Sequence, residues 1–532
     1  MSNMRKSTIY ALLALFVWTM AVPATAQKKQ QRSMKNLDPE ATVEAVKQVI
    51  RKHQGLGGAN FIETEIYPQF KKNPEVLTNI AHAFDFQAND TTNAFIYIER
   101  ALAVDPKFVP AYVEKGSILS GWAKTQEDTL AAYGWFDKAI AMNPKSPLGY
   151  QAYSKALAKQ HDYDGAAKKL EEILQHDPNY NVYVEIGNLY GAAEGLDYAN
   201  KAIEAYAKAD MAHMTSNQIA GYVTLLQAAG KAGQLGAYKR SDSLLTLALT
   251  KYPTDAKLNR LMMQNSVAIQ KYDQAIAAAD VLFNKSDSAE ISLDDFMSYA
   301  KAYEGLKNYN AAIDQYRKCL DYEIVRKNYK SDDAFENAKF REERQKNTAW
   351  QAIAKAYDAS GYTDKAIEEQ KKFIEHRREQ GKLDAPELQQ LARFYESQAE
   401  ISMGEEQRNM YKKYIETYIE LAEVSPQNAA LGYFNAFNYA RYKLDPENKE
   451  WLYVPYAEKV MELIPFPFAE DAGQRDKIML ETVVARLGYD YFQNDQYKLS
   501  GKYWRMIAQI NPDNAMYLRL YENKIIRKKL GL

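Results

Sequence analysis

The chain has 532 residues, of which 46% are hydrophobic and 26% charged, and its 68 Lys+Arg stand against 69 Asp+Glu for a net charge of −1. This balance excludes a wholly disordered chain, a collagen-like chain and a polytopic membrane protein, and it leaves no basic excess to draw nucleic acid by counterion release. With 40 Tyr but only 17 Pro and 24 Gly, the chain has few breakers and many amphipathic rings, which points to a mostly helical protein.

The first residues carry two positive charges, Arg5 and Lys6, then an apolar run from Ile9 to Val22, then Pro23 and Ala24-Thr25-Ala26 before Gln27. This is the layout of a secretory signal peptide over residues 1–26, cleaved after Ala26. The alternative is an uncleaved anchor, since Ser7 to Ala26 carries no charge. Either version places the body across the membrane from the positive flank, so an exported, periplasmic protein is expected. No cysteine follows the apolar run, which argues against a lipid anchor, and Cys319 is the only cysteine, so no intramolecular disulfide can form. Cys319 falls at a small-residue core position of a helix, where a thiol behaves as a small hydrophobe.

Beyond a polar tether at 27–38, prolines punctuate the chain: Pro74, Asp105-Pro106, Asn143-Pro144, Asp177-Pro178 and Tyr252-Pro253, spaced by 32, 38, 34 and 75 residues. A period near 34 signals a helical repeat. Asp or Asn is expected to cap a helix through its side-chain oxygen, with Pro at the first helical position. Within the units the apolar residues follow a helical period: Trp350, Ile353, Ala354 and Tyr357, a turn at Gly361, then Ala366 and Phe373. The same frame holds for Tyr299, Ala300 and Tyr303 with Ala312, Tyr316 and Cys319, and for Leu487, Gly488 and Tyr491 with Ser500, Trp504 and Ile507.

These residues resemble the tetratricopeptide repeat, a helix–turn–helix unit of about 34 residues. Its second-helix alanine appears at Ala94, Ala132, Ala166, Ala202, Ala275, Ala312, Ala366 and Ala457, with Ser241, Tyr414 and Ser500 standing in its place elsewhere. The resemblance implies an all-α fold, a right-handed α-solenoid superhelix of about eleven hairpins with capping helices. A divergent hairpin over Pro39 to Lys72 is expected to cap the start and an amphipathic helix from Asp513 to Lys529 the end. The arrays are divided as 39–290 and 291–532. The charge-rich stretch from Asp321 to Gln345 breaks the period, as a lengthened helix or a mobile loop.

Catalytic and metal signatures are largely missing. His53, His82, His161, His176, His213 and His376 never pair at a helical spacing with a carboxylate between them. Gly55-Leu56-Gly57-Gly58 has no strand before it and no Gly-Lys-Ser/Thr after it, and Ser298-x-x-Lys301 has no companion motif. No catalytic residue, metal or cofactor is therefore expected.

In arrays of the resembled family the first helices line a concave surface, and the residue after the Leu-Gly-like pair points into it. That position is held by Asp85, Ser117, Lys155, Asn188, Gln227, Gln264, Lys301, Lys355, Arg393, Asn435 and Tyr489. Those from Lys155 onward are the candidate partner-binding groove. Lys301, Lys355 and Arg393 are each followed three residues later by an acid, Glu304, Asp358 and Glu396, on the same helix face. Such a surface is either an ordinary set of exposed ion pairs or a groove of charges and amides for an extended peptide or a partner's helix. Relatives that clamp a chaperone's C-terminal carboxylate carry Lys where this chain has Val184 or Leu431, so that activity is not expected. The reading is a non-catalytic scaffold or adaptor that binds a protein or peptide partner in the bacterial cell envelope. No nucleic acid and no stable membrane insertion are expected, and a peripheral association with the envelope is. The alternative is a glycan or nutrient-binding protein of the outer-membrane uptake type, whose tyrosines would stack on sugar rings.

Overall fold

The computed structural model describes residue 47 and residues 56–286, 290–468 and 473–532. The signal peptide, the tether, His53, Gly55 and most of the first half of the expected capping hairpin lie outside the described residues. Every regular element among the described residues is helical. Short helices α1 (Leu56–Phe61) and α2 (Tyr67–Phe70) precede eleven hairpins. The first four are α3 (Pro74–Ala88) with α4 (Thr91–Val104), α5 (Val109–Trp122) with α6 (Gln126–Met142), α7 (Pro147–Lys159) with α8 (Tyr163–Glu171), and α9 (Val182–Gly191) with α10 (Leu196–Lys208). The fifth is α11 (Ser216–Lys231) with α12 (Leu235–Lys251). Then come α13 (Ala256–Ala268) with α14 (Tyr272–Asn284), α15 (Leu293–Gly305) with α16 (Tyr309–Leu320), α17 (Asp332–Ala359) with α18 (Thr363–Glu379), and α19 (Ala385–Ile401) with α20 (Gly404–Val424). The last two are α21 (Ala429–Tyr439) with α22 (Val454–Leu463) and α23 (Gln474–Gln493) with α24 (Tyr497–Ile510). The chain forms two compact units, up to Leu244 and from Leu245, which divide inside α12.

The eleven second-helix positions read from the sequence are all buried. The eight alanines, Ser241 and Ser500 have no exposure at all, and Tyr414 is 5% exposed. A small residue is needed here because the two helices of a hairpin come close, and an aromatic from the second fills the space left on the first. A Cβ on Gly116 would stand 2.6 Å from Phe136, one on Gly187 2.7 Å from Tyr206 and one on Gly488 2.9 Å from Trp504. In the first unit α7 packs on both α5 and α6; in the second, α15 packs on α13 and α14, and α17 on α15 and α16. Within each unit, hairpins thus bury their faces against their neighbours.

In several of the hairpins the turn contains a single residue of positive φ. His161, Gln270, Lys307 and Asp495 have φ of 63°, 61°, 60° and 58°, and Gly233 and Gly361 have 101° and 84°. Around Lys307, its own N–H donates to the Glu304 carbonyl and the next N–H, from Asn308, donates to Tyr303, so two of the last helical carbonyls are satisfied. Gly361 is the turn residue that the sequence identified, and the non-glycine turns were missed because Lys, Gln, His and Asp carry no such signal.

Between hairpins the Asx-Pro pairs act differently from expectation. Of the pairs among the described residues only Asn73-Pro74 caps a helix directly, with Asn73 Oδ1 accepting from the N–H groups of Glu75 and Val76 at 3.1 and 3.2 Å. Asp105, Asn143 and Asp177 accept instead from the N–H two residues on, at 2.9, 3.3 and 3.2 Å, so they close a turn and the next helix starts later. A second bond fixes that start. The side chain six residues beyond the proline donates back to the proline carbonyl: Tyr112 to Pro106 at 2.8 Å, Tyr150 to Pro144 at 3.1 Å and Asn259 to Pro253 at 3.0 Å.

The charge-rich stretch resolves as a lengthened helix, since α17 runs for 28 residues from Asp332, after a loop and a turn at Arg326–Asn328. At the other end the expected single helix is broken into α25 (Ala515–Glu522) and α26 (Lys524–Leu530). Asn523 is extended there, and its side-chain oxygen accepts from the N–H groups of Ile525 and Ile526 at 3.1 and 3.2 Å. An asparagine able to cap a new helix interrupts the old one.

Candidate partner-binding face

The first helices present the candidate residues unequally. Lys155, Lys301, Lys355 and Arg393 are exposed, on α7, α15, α17 and α19. Asn188 is exposed on α9, but its side-chain oxygen accepts from the Tyr206 hydroxyl on α10. Gln264 and Tyr489 are half-buried on α13 and α23, and the Arg486 guanidinium stands 5.4 Å from the Tyr489 ring centre. Two of the candidates stand apart from the others. Gln227 is buried on α11, because α11 is apolar on more of its circumference than a simple stripe. Asn435 on α21 is half-buried and donates to the Leu431 carbonyl of its own helix at 2.9 Å, so its amide is partly used internally.

Lys301, Lys355 and Arg393 lie on three successive first helices of the second unit. None of them has a hydrogen-bond or ion-pair partner among the described residues, so the i, i+3 ion pairs inferred from spacing are not formed. Their acids are taken by hydroxyl groups. The Tyr316 hydroxyl on α16 donates to Glu304 at 2.6 Å, the Thr363 hydroxyl that opens α18 donates to Asp358 at 2.8 Å, and the Tyr439 hydroxyl on α21 donates to Glu396. A hydroxyl neutralises none of the acid's charge, yet it ties the carboxylate to a neighbouring helix and leaves the cation's donors to solvent.

The same device recurs at other tyrosines along the chain. Tyr97 donates to Glu63 at 2.9 Å, Tyr190 to Asp164 at 2.9 Å, Tyr180 to Glu185 and Tyr299 to Asp280. Burial, reinforced by the neighbouring carboxylate, pushes the Tyr190 phenol up to about 12. The Glu63 carboxyl is held below its ordinary value by the Arg100 guanidinium, bound at 2.6 and 3.0 Å, with Tyr97 assisting. Arg100 also stacks over the Tyr67 ring at 4.1 Å, so the segment before α3 is held to α4.

Among the described residues no group of His, Cys, Asp and Glu is placed to hold a metal ion, and no helix is long and apolar enough to cross a membrane. Cys319 is fully buried on α16 with its sulfur 3.5 Å from the Gln315 carbonyl, and burial pushes its thiol up to about 12. A reactive thiolate is not available from it.

No protein-family model matches the chain, and no curated protein matches it. Among solved structures it is similar to the C-terminal part of a TPR repeat-containing protein from Cytophaga hutchinsonii, at 18% identity over 55% of this chain and 98% of that one, with a TM-score of 0.38. It is also similar to a tetratricopeptide repeat protein from Parabacteroides merdae, at 15% identity over 48% of this chain and 94% of that one, with a TM-score of 0.27. A third similarity is to PilF of Pseudomonas aeruginosa, at 11% identity, covering 47% and 90% of the two chains, with a TM-score of 0.25.

Proposed function

We propose that the chain is a tetratricopeptide-repeat protein, a reading supported by the burial of its repeat positions, and that it is a non-catalytic scaffold whose first-helix face holds a protein or peptide partner in the bacterial cell envelope. The observation that carries this reading is the trio Lys301, Lys355 and Arg393. Three exposed cations on successive first helices have no hydrogen-bond or ion-pair partner among the described residues, while the acids beside them are engaged by Tyr316, Thr363 and Tyr439. Such a row suits an extended segment carrying carboxylates at intervals, with affinity spread over several charge-assisted contacts. The export signal read at residues 1–26 supports the compartment.

The test is in-cell crosslinking of an affinity-tagged chain, followed by mass spectrometry of the envelope fraction, in parallel with the Lys301→Glu, Lys355→Glu, Arg393→Glu variant. One dominant envelope protein that disappears with the variant is expected. Recovery of the same partners at the same yield from both forms would remove the groove from the argument, and an unprocessed chain confined to the cytoplasm would remove the compartment.

A further inference from the structure

The last helices carry a marked excess of basic side chains. From Tyr497 to Leu532 there are eight basic side chains, Lys498, Lys502, Arg505, Arg519, Lys524, Arg527, Lys528 and Lys529, against only Asp513 and Glu522, in a chain whose net charge is −1. Elsewhere cations are commonly tied to carboxylates, as Arg441 is to Asp490 at 2.8 Å, Lys459 to Glu462 at 2.7 Å and Arg260 to Asp295 at 2.7 Å. None of these eight makes an ion pair among the described residues.

The helices that carry them are held side by side. Arg505 on α24 donates to the Gly531 carbonyl at 3.0 Å, and the Lys529 ammonium stands 4.8 Å from the Tyr497 ring centre. The basic ends of α24 and α26 therefore form one surface. Large apolar side chains are exposed on α25 and α26, beside Arg519 and the lysines of α26. Ile525 is 72% exposed, Met516 43%, Tyr521 40% and Leu518 38%, and Ile525 shares a face of α26 with Lys528 and Lys529, three and four residues on. An unpaired aliphatic side chain surrounded by unpaired ammonium groups is poorly served by water. It is well served where acyl chains lie just beneath anionic headgroups.

We propose that the face built by α24, α25 and α26 docks on an anionic phospholipid surface, with Ile525, Leu518 and Tyr521 entering the headgroup layer and the lysines pairing with phosphates. This is independent of the first-helix groove. An acidic protein would answer the charge as well, but the exposed aliphatics beside the basic side chains favour lipid, because a charge-only partner would leave them in water.

The experiment is co-sedimentation of the full chain with phosphatidylcholine vesicles containing about one third phosphatidylglycerol, beside vesicles of phosphatidylcholine alone. Binding is expected only to the anionic vesicles, and it should weaken markedly in about 0.5 M salt. Replacing three exposed, unpaired lysines together, Lys498→Glu, Lys524→Glu and Lys528→Glu, should reduce binding at least about tenfold. Ile525→Ser should weaken it with the charge intact. The groove variant Lys301→Glu, Lys355→Glu, Arg393→Glu should bind vesicles like the parent chain, and circular dichroism melts check that each variant is folded. Equal sedimentation with both kinds of vesicle, or no loss on charge reversal in a folded variant, would overturn the proposal. Capture of a polyglutamate peptide without any vesicle binding would also overturn it and would assign the face to an acidic protein.

Discussion

Arg260 holds Asp295 by both carboxylate oxygens, Nε to Oδ1 at 2.7 Å and Nη2 to Oδ2 at 2.8 Å, and the acid has no solvent exposure. The pair joins α13 to α15, the first helices of consecutive hairpins. Asp295 also accepts from the N–H and hydroxyl of Ser292 at 2.8 and 2.9 Å. Removing the guanidinium strands a buried charge. Arg260→Ala is expected to destabilise the chain by about 3 kcal/mol, read as a lowered urea midpoint. Lys459→Ala, which breaks an exposed pair on α22, should leave the midpoint in place. Equal shifts from the two variants would show that burial of the pair does not matter.

Gly488 lies within a helix, where alanine is normally favoured by about 1 kcal/mol. Here a Cβ would meet Trp504 at 2.9 Å from Cε2 and 3.1 Å from Nε1, and the indole is fully buried. Gly488→Ala should therefore destabilise by about 1–3 kcal/mol and alter the tryptophan emission. A stabilised variant would mean that α24 can shift away from α23 at little cost.

His82 on α3 shares a hydrogen bond with Glu114 on α5 at 2.9 Å, and this bond holds its pKa above the ordinary 6.5. Burial and the Lys47 charge oppose the rise, and Asp85 assists it, while Phe86 lies stacked on the imidazole. A raised folded pKa means that the imidazolium contributes stability below the unfolded value, and that this contribution is lost as pH rises through the folded value. The melting temperature should accordingly fall as pH is taken upward from about 6. Glu114→Gln should flatten that part of the profile, and an unchanged slope in the variant would place the titration elsewhere.

Cys319 is expected to resist a thiol-specific reagent in the folded chain and to react once per chain in denaturant. Its burial and its raised pKa, about 12, both oppose thiolate formation. Stoichiometric labelling of native protein would show that the α15–α16 hairpin opens readily.

Much of the fold is visible in the sequence because the repeat imposes one steric demand many times. Ala275, Ala312 and Ala366 recur where helices touch, and their burial follows directly. What is harder to see is how polar groups are shared between units. Glu304 stands three residues from Lys301, and spacing alone pairs them, whereas Tyr316 reaches the acid from the other helix. The proline carbonyl bonds of Tyr112, Tyr150 and Asn259 join residues six apart across a turn, a separation with no helical or strand period. Gln227 was assigned to the exposed row by its place in the frame, but its neighbours Leu226, Ala229 and Gly230 are buried too. Frame position sets direction only where the rest of the helix is amphipathic.

The tyrosine-to-carboxylate bonds have a consequence for light absorption. A phenol that is buried and donates to an acid stays protonated well above its free value of 10.0, as at Tyr190, pushed up to about 12, and further still at Tyr97, Tyr316 and Tyr439. In the folded chain these rings withhold the ultraviolet signature of phenolate through moderately alkaline solution, and they release it together when the hairpins come apart. The absorbance of the chain in base is thus an intrinsic gauge of how many hairpins remain closed.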